Sequence, residues 1–193
     1  MTKIIRPGSG VLFMKVGTHA KEGLADIISR KSKEIDDAGF SLWGYGGNTC
    51  HPRTMVQPFA DIFEQQDKPI HLVMEEMNSR HFAEQVRAEE YSSDGIIWKK
   101  IPDEINVLGS RFALVLKSLS TEEHKLSLNQ TRVPVGPNAG RLGSRYIRGQ
   151  VDKACLEVLE HPELSNEEDI KEVEINLVAE MDKPYAVFLR NNG

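Results

Sequence analysis

Residues 21–39, KEGLADIISRKSKEIDDAG, are the stretch from which the fold is read. Leu24, Ile27, Ile28 and Ile35 fall on one face at helical spacing, while Asp26, Arg30, Lys33, Glu34 and Asp37 face away. Gly39 stands where a C-terminal cap belongs, so the stretch predicts an amphipathic helix. On either side lie short apolar runs, VLFMKVG (11–17) and FSLWGYG (40–46), each read as a strand. Further on, RTMVQPFADIFEQQ (53–66) predicts a second helix, with Pro52 near its start. Pro58 either opens that helix proper or kinks it. PIHLVMEEM (69–77) reads as a third, largely apolar strand. The order strand, helix, strand, helix, strand predicts a parallel βαβαβ unit with right-handed crossovers.

The second half reads differently. GIIWKKIP (95–102), RFALVLKSL (111–119), HKLSLNQTRVPVG (124–136), KEVEINLVAEM (171–181) and PYAVFLR (184–190) read as strands. MDKP (181–184) reads as the turn of a terminal hairpin. Residues 82–90 and 144–160 read as helices, the latter with Val151, Ala154, Cys155 and Val158 on one face. The expected fold class is α/β: a single domain over 1–193, with a parallel βαβαβ half at 1–81 and a mixed, antiparallel half at 82–193.

Composition narrows the function classes. Hydrophobic residues make up 39% and charged residues 27%, a balance expected of a soluble globular chain. There is no apolar run near the length of a membrane span, and the N-terminal stretch lacks the apolar core of a signal peptide, so the expectation is cytoplasmic, with no membrane partner. Two cysteines, Cys50 and Cys155, make no disulfide framework and are expected as free thiols. The net charge of −5 argues against a general nucleic-acid binder. That charge is uneven. Residues 152–193 hold eleven acids against four bases, a balance of −7, which leaves +2 for residues 1–151. Between Glu123 and Asp152 there is no acid at all, but Lys125, Arg132, Arg141, Arg145 and Arg148 are present. A local positive patch in an acidic chain suits a small anionic ligand.

Ligands of open parallel sheets bind beyond the carboxyl ends of the strands. Beyond the first predicted strand stands His19, and beyond the second come Tyr45, Gly46, Gly47, Asn48, Thr49, Cys50 and His51. Glu75, Glu76 and His81 close the third. The glycines of GYGGNTCHP (44–52) permit close backbone approach to an anion. A cysteine at a helix start has a lowered pKa, and a nearby imidazole completes a nucleophile and base. Cys50 is therefore a candidate nucleophile, with His51, His19 or His81 as base and Glu75 as a further acid–base group. The plainer reading makes Cys50 a small half-buried residue and the rest turn chemistry. Cys50, His51, His71 and His81 offer zinc-ligand types without zinc-site spacing, so no metal is expected.

A second candidate is VGPNAGRLGSRYIRGQ (135–150), where Arg141, Arg145, Tyr146 and Arg148 alternate with glycines. On a helix the three arginines would stack on one face and hold a phosphate or carboxylate. The stretch lacks a P-loop ending and the strand that precedes a dinucleotide fingerprint. The alternative is a solvated basic face that pairs with the acidic C-terminal region, in another subunit of a homo-oligomer or in a partner protein. Two functions are open: a binder of a small phosphorylated or nucleotide-like ligand with hydrolase or transferase chemistry, or a non-catalytic interaction module. No cofactor is specified.

Overall fold

The computed structural model describes residues 5–19, 23–45, 52–81, 86–121, 124–147, 153–163 and 172–191, the side chains of 17–19, 52, 53, 77–81 and 124 excepted. The elements run in order β1 (Gly10–His19), α1 (Leu24–Ala38), β2 (Ser41–Tyr45), a π-helical turn (Pro52–Val56), α2 (Gln57–Gln65), β3 (Ile70–His81), β4 (Glu90–Ser92), β5 (Lys99–Lys100) and β6 (Phe112–Ser120). Next come β7 (His124–Ser127), a 3-10 turn (Leu128–Gln130), β8 (Thr131–Arg132), α3 (Gly143–Tyr146), β9 (Lys153–Val158), β10 (Glu172–Ile175) and β11 (Leu177–Arg190). The class is mixed α/β and mostly antiparallel, and it includes a parallel pair, β1 and β3.

The chain forms two compact units, each drawing on both halves of the sequence. The first comprises Met1–Lys15, Thr49–Glu75 and Ser120–Val178; the second comprises Val16–Asn48, Glu76–Leu119 and Ala179–Gly193.

In the first unit β3, β1, β9 and β8 are neighbours in that order. β9 lies antiparallel to β1, with Phe13 opposite Ala154 and Leu12 opposite Cys155. The alternation of a strand sends these two pairs to opposite faces. On one face Val11, Phe13, Val73, Ala154, Leu156 and Val158 form a core with Leu126, Val173 and Ile175 of the separate β7–β10 pair. On the other, Gly10 faces the rings of Phe59 and Phe63 on α2, which a Cβ at that position would approach to 3.0–3.1 Å. Both faces of the sheet are thus covered. This explains why residues 153–158 form a strand where a helix was expected: a strand buried on both faces carries apolar residues at both parities, and over six residues this mimics a helical stripe. Val151 of that stripe lies outside the described residues.

In the second unit the order is β2, β6, β11, β3, β1, with β4 on β11 and β5 on β4. β2 pairs antiparallel with β6, Trp43 opposite Leu114 and Tyr45 opposite Phe112. The expected trio of neighbouring parallel strands therefore reduces to β1 and β3, because the apolar run of β6 supplies β2 with its partner. The predicted hairpin at 181–184 is one continuous strand, β11, with buried residues on both sides of Asp182–Lys183. Residues 95–102 yield only the two-residue β5. Within the expected helix at 82–90, residues 82–85 lie outside the described residues, Arg87 bridges to Leu108, and β4 begins at Glu90. At 124–136 the expected strand is broken by the 3-10 turn between β7 and β8.

Of the two helices expected in the first half of the chain, α1 ends as foreseen: Gly39 takes φ 86°, and its N–H donates to the Ile35 carbonyl at 2.9 Å. Pro58 falls in the first turn of α2, where its missing N–H costs no helical bond. The buried stripe of α1 differs from the expectation. Leu24 and Ile27 are buried, but the stripe continues through Lys31 and Glu34, which are 3% and 2% exposed. Glu34, assigned to the solvent face from the sequence, lies inside.

Candidate functional site

The acid-free stretch folds as a hairpin excursion in the first unit, closed by a bridge between Arg132 and Leu142. Inside it the Val133 N–H donates to the Arg141 carbonyl at 2.9 Å, and the Gly140 N–H to the Val133 carbonyl at 2.8 Å. The tip turns through Gly136 and Gly140 at φ 87° and 89°, values that favour glycine. A single helical turn, α3, comes next. It packs closely at Gly143, where a Cβ would lie 1.9 Å from Thr131 Oγ1 and 3.1 Å from the Leu128 carbonyl oxygen.

This geometry revises the arginine array. Arg141 precedes α3 and Arg145 lies on it, so the two do not share a helical face; Arg148 lies outside the described residues. Both described arginines are exposed, and Tyr146 is half-buried against the core. Two other bases of the stretch are committed within the chain: Arg132 pairs with Glu157 at 2.6 Å, and Lys125 with Glu172 at 3.6 Å. The pairing of basic stretch with acidic C-terminal region is thus partly intramolecular. Among the described residues no carboxylate pairs with Arg141, whose guanidinium donates to Asn138 Oδ1 at 3.5 Å.

The tip of this hairpin abuts the segment just after the other candidate. Met55, in the π-helical turn, places Sδ 3.7 Å from the Cβ position of Gly136. In sequence Met55 is five residues after Cys50 and four after His51. Gly46, Gly47, Asn48, Thr49, Cys50 and His51 themselves lie outside the described residues, as do the side chains of His19 and His81. The backbones of the latter two are the last residues of β1 and β3, strands longer than the sequence suggested. Glu75 is half-buried on β3; its Oε2 is buried with no hydrogen-bond partner among the described residues. The Asn129 Oδ1 atom of the 3-10 turn and the Ser144 Oγ atom of α3 are likewise buried without partners among them. Tyr45 is in the core of the second unit, 4% exposed, its ring 5.9 Å from that of Phe112.

Cys155 is buried on β9 and forms no disulfide bond among the described residues. Among the described residues no group of three His, Cys, Asp or Glu side chains is placed to hold a metal ion. Among the described residues no helix is long and apolar enough to cross a membrane.

Sequence reasoning missed two polar constructions in the second unit. In the first, Glu34 gathers four donors. Its Oε1 accepts from Arg30 at 3.0 Å and from the Asn106 N–H at 2.9 Å. Its Oε2 accepts from Lys31 Nζ at 3.0 Å and from Ser41 Oγ at 2.5 Å. Lys31 and Arg30 also donate to the Asn106 carbonyl. The spacing of Leu24, Ile27, Lys31 and Glu34 is the signal that would have placed the pair inside.

In the second, Asp94 Oδ1 accepts from the N–H groups of Ile96 and Ile97 at 2.8 and 2.9 Å and from Ser92 Oγ at 2.9 Å. The amides of Ile96 and Ile97, and after them the Ser92 hydroxyl, hold the Asp94 carboxyl at about 2, below its ordinary 3.8. Taking those two amides also removes them as ladder donors, which is why the predicted strand at 95–102 shortens to β5.

Comparison with protein-family models, with curated proteins and with solved structures finds no match.

Proposed function

We propose that the first unit binds a small phosphorylated or nucleotide-like anion where the 136–146 turn meets the segment just after Cys50 and His51. The observation that carries this reading is the packing of Met55 against Gly136. Met55 follows Cys50 by five residues and His51 by four, and Gly136 opens a turn that holds the exposed Arg141 and Arg145 and no acid. Arg141 and Arg145 are the guanidinium groups of the site, suited to forked hydrogen bonds with phosphate oxygens. Cys50, with His51 as its base, is the pair for hydrolase or transferase chemistry, and Glu75 Oε2 is a further proton acceptor.

A thermal-shift screen tests the binding step, with pyrophosphate, nucleotides and sugar phosphates against wild type, Arg141→Ala, Arg145→Ala and Cys50→Ser. A ligand at a hundred times its dissociation constant stabilises by about 2.7 kcal/mol, a shift of about 5–10 °C in a chain of this size. Wild type is expected to shift and both arginine variants to lose most of the shift. Cys50→Ser is expected to keep it, since the thiol serves chemistry rather than binding. No shift with any compound would overturn the reading and favour the interaction module.

A further inference from the structure

We propose that the tip of the β4–β5 hairpin in the second unit docks onto a phospholipid surface. Ile96 and Ile97, 79% and 67% exposed, stand in the loop that joins β4 to β5. Most exposed aliphatic residues need no explanation, but these two are adjacent and stand on a braced turn. The Ile96 and Ile97 N–H groups are bonded to Asp94 Oδ1, and that of Gly95 to Ser92 Oγ at 2.9 Å. Three successive amides at the tip are therefore satisfied within the loop. An apolar phase can receive this backbone without stripping water from those donors, which is the main barrier to placing irregular chain in lipid.

The three residues after the isoleucines fit the headgroup layer. Trp98 comes first, steadied by Arg190, whose Cζ lies 4.1 Å from the ring centroid. Then come Lys99 and Lys100, both exposed. Lys100 pairs with Asp103 at 2.9 Å, but both side chains are about three-quarters exposed or more, so the pair is weak and open to exchange for a phosphate. Apolar tip, indole and lysines in succession match hydrocarbon edge, interface and headgroup.

Other occupants fit less well. Two side chains bury far less than the roughly 800 Å² that each partner of a stable protein complex contributes. Pairing of β5 with β5 of a second copy would set Lys99 and Lys100 against their own kind, the device by which sheet edges repel one another. The fact that no described helix spans a membrane does not bear on such a surface contact.

The test is co-sedimentation of the intact protein with vesicles of mixed phosphatidylcholine and phosphatidylserine. Trp98 fluorescence is read alongside, with Trp98→Phe as the control for Trp43. Wild type is expected to pellet with the vesicles and its emission to shift to the blue. Ile96→Ser/Ile97→Ser, an exposed pair whose change leaves the thermal midpoint unaltered, is expected to lower the partition coefficient about tenfold or more. Lys99→Gln is expected to weaken binding only when phosphatidylserine is present. The proposal is overturned if wild type does not pellet, if it pellets equally with the double-serine change, or if the tip instead drives a dimer that the double change dissolves.

Discussion

Glu34 and Asp94 belong to the same unit, and each draws several donors onto one carboxylate, yet only Glu34 lies inside the core. Glu34 joins groups far apart in sequence: α1, the first residue of β2 and the backbone at Asn106. Asp94 reaches no further than Ser92 and Ile97. A carboxylate that joins distant segments is part of what fixes their arrangement. One that closes its own loop shapes that loop alone. The two should therefore fail differently when removed.

Glu34→Ala carries the largest expected effect. It leaves Lys31 buried without its carboxylate, a loss of about 3–5 kcal/mol in urea unfolding. The double change Lys31→Met/Glu34→Leu should recover a good part of that loss, since the uncompensated ammonium is gone. A single variant as stable as wild type would show that the network does not hold α1 to its neighbours.

Steric fixing in the first unit comes next. Gly143→Ala sets a methyl against the buried Thr131 hydroxyl and the Leu128 carbonyl, so that one of them must move. The expected cost is about 1–3 kcal/mol, read from the unfolding midpoint. Smaller again is Arg132→Gln. Its ion pair with Glu157 is partly exposed, and about 1 kcal/mol or less is expected from the same measurement.

Asp94→Ala should leave the global midpoint nearly unchanged while hydrogen exchange at the Ile96 and Ile97 amides quickens. The pH dependence has a defined sign. A carboxyl held at about 2, below its ordinary 3.8, stabilises the loop fully above the ordinary value and loses that contribution as pH falls toward 2. Carboxyl chemical shifts should place the Asp94 midpoint at about 2, with the loop still closed at a pH of about 4. A midpoint at the ordinary 3.8 would show that the amides do not clasp it.

The contrast also marks what could be read from the residues. The Gly39 cap is visible because its chemistry is local. The Glu34 network is invisible to a rule that sends charge outward, because its partners at Ser41 and Asn106 meet it only through tertiary structure. β9 was missed because a strand covered on both faces carries no alternation. β2 was misplaced because its partner, β6, lies some seventy residues onward, and no local pattern announces that pairing. Of the site, Arg141 and Arg145 were legible as an acid-free cluster. Their helical stacking was not realised, since Gly143 packs against Thr131 and α3 ends after one turn. The adjacency of Met55 and Gly136 joins segments some eighty residues apart, and only the folded chain reveals it.

The proposed anion site is tested most directly by amide resonances of the isotopically labelled protein titrated with pyrophosphate and with a nucleoside monophosphate. The resonances of Met55, Gly136, Arg141 and Arg145 should move together and saturate with one dissociation constant, and Arg145→Ala should abolish the common movement. Resonances that stay fixed at these four positions, or move elsewhere with the arginines intact, would contradict the assignment of the 136–146 turn as the place where an anion is held.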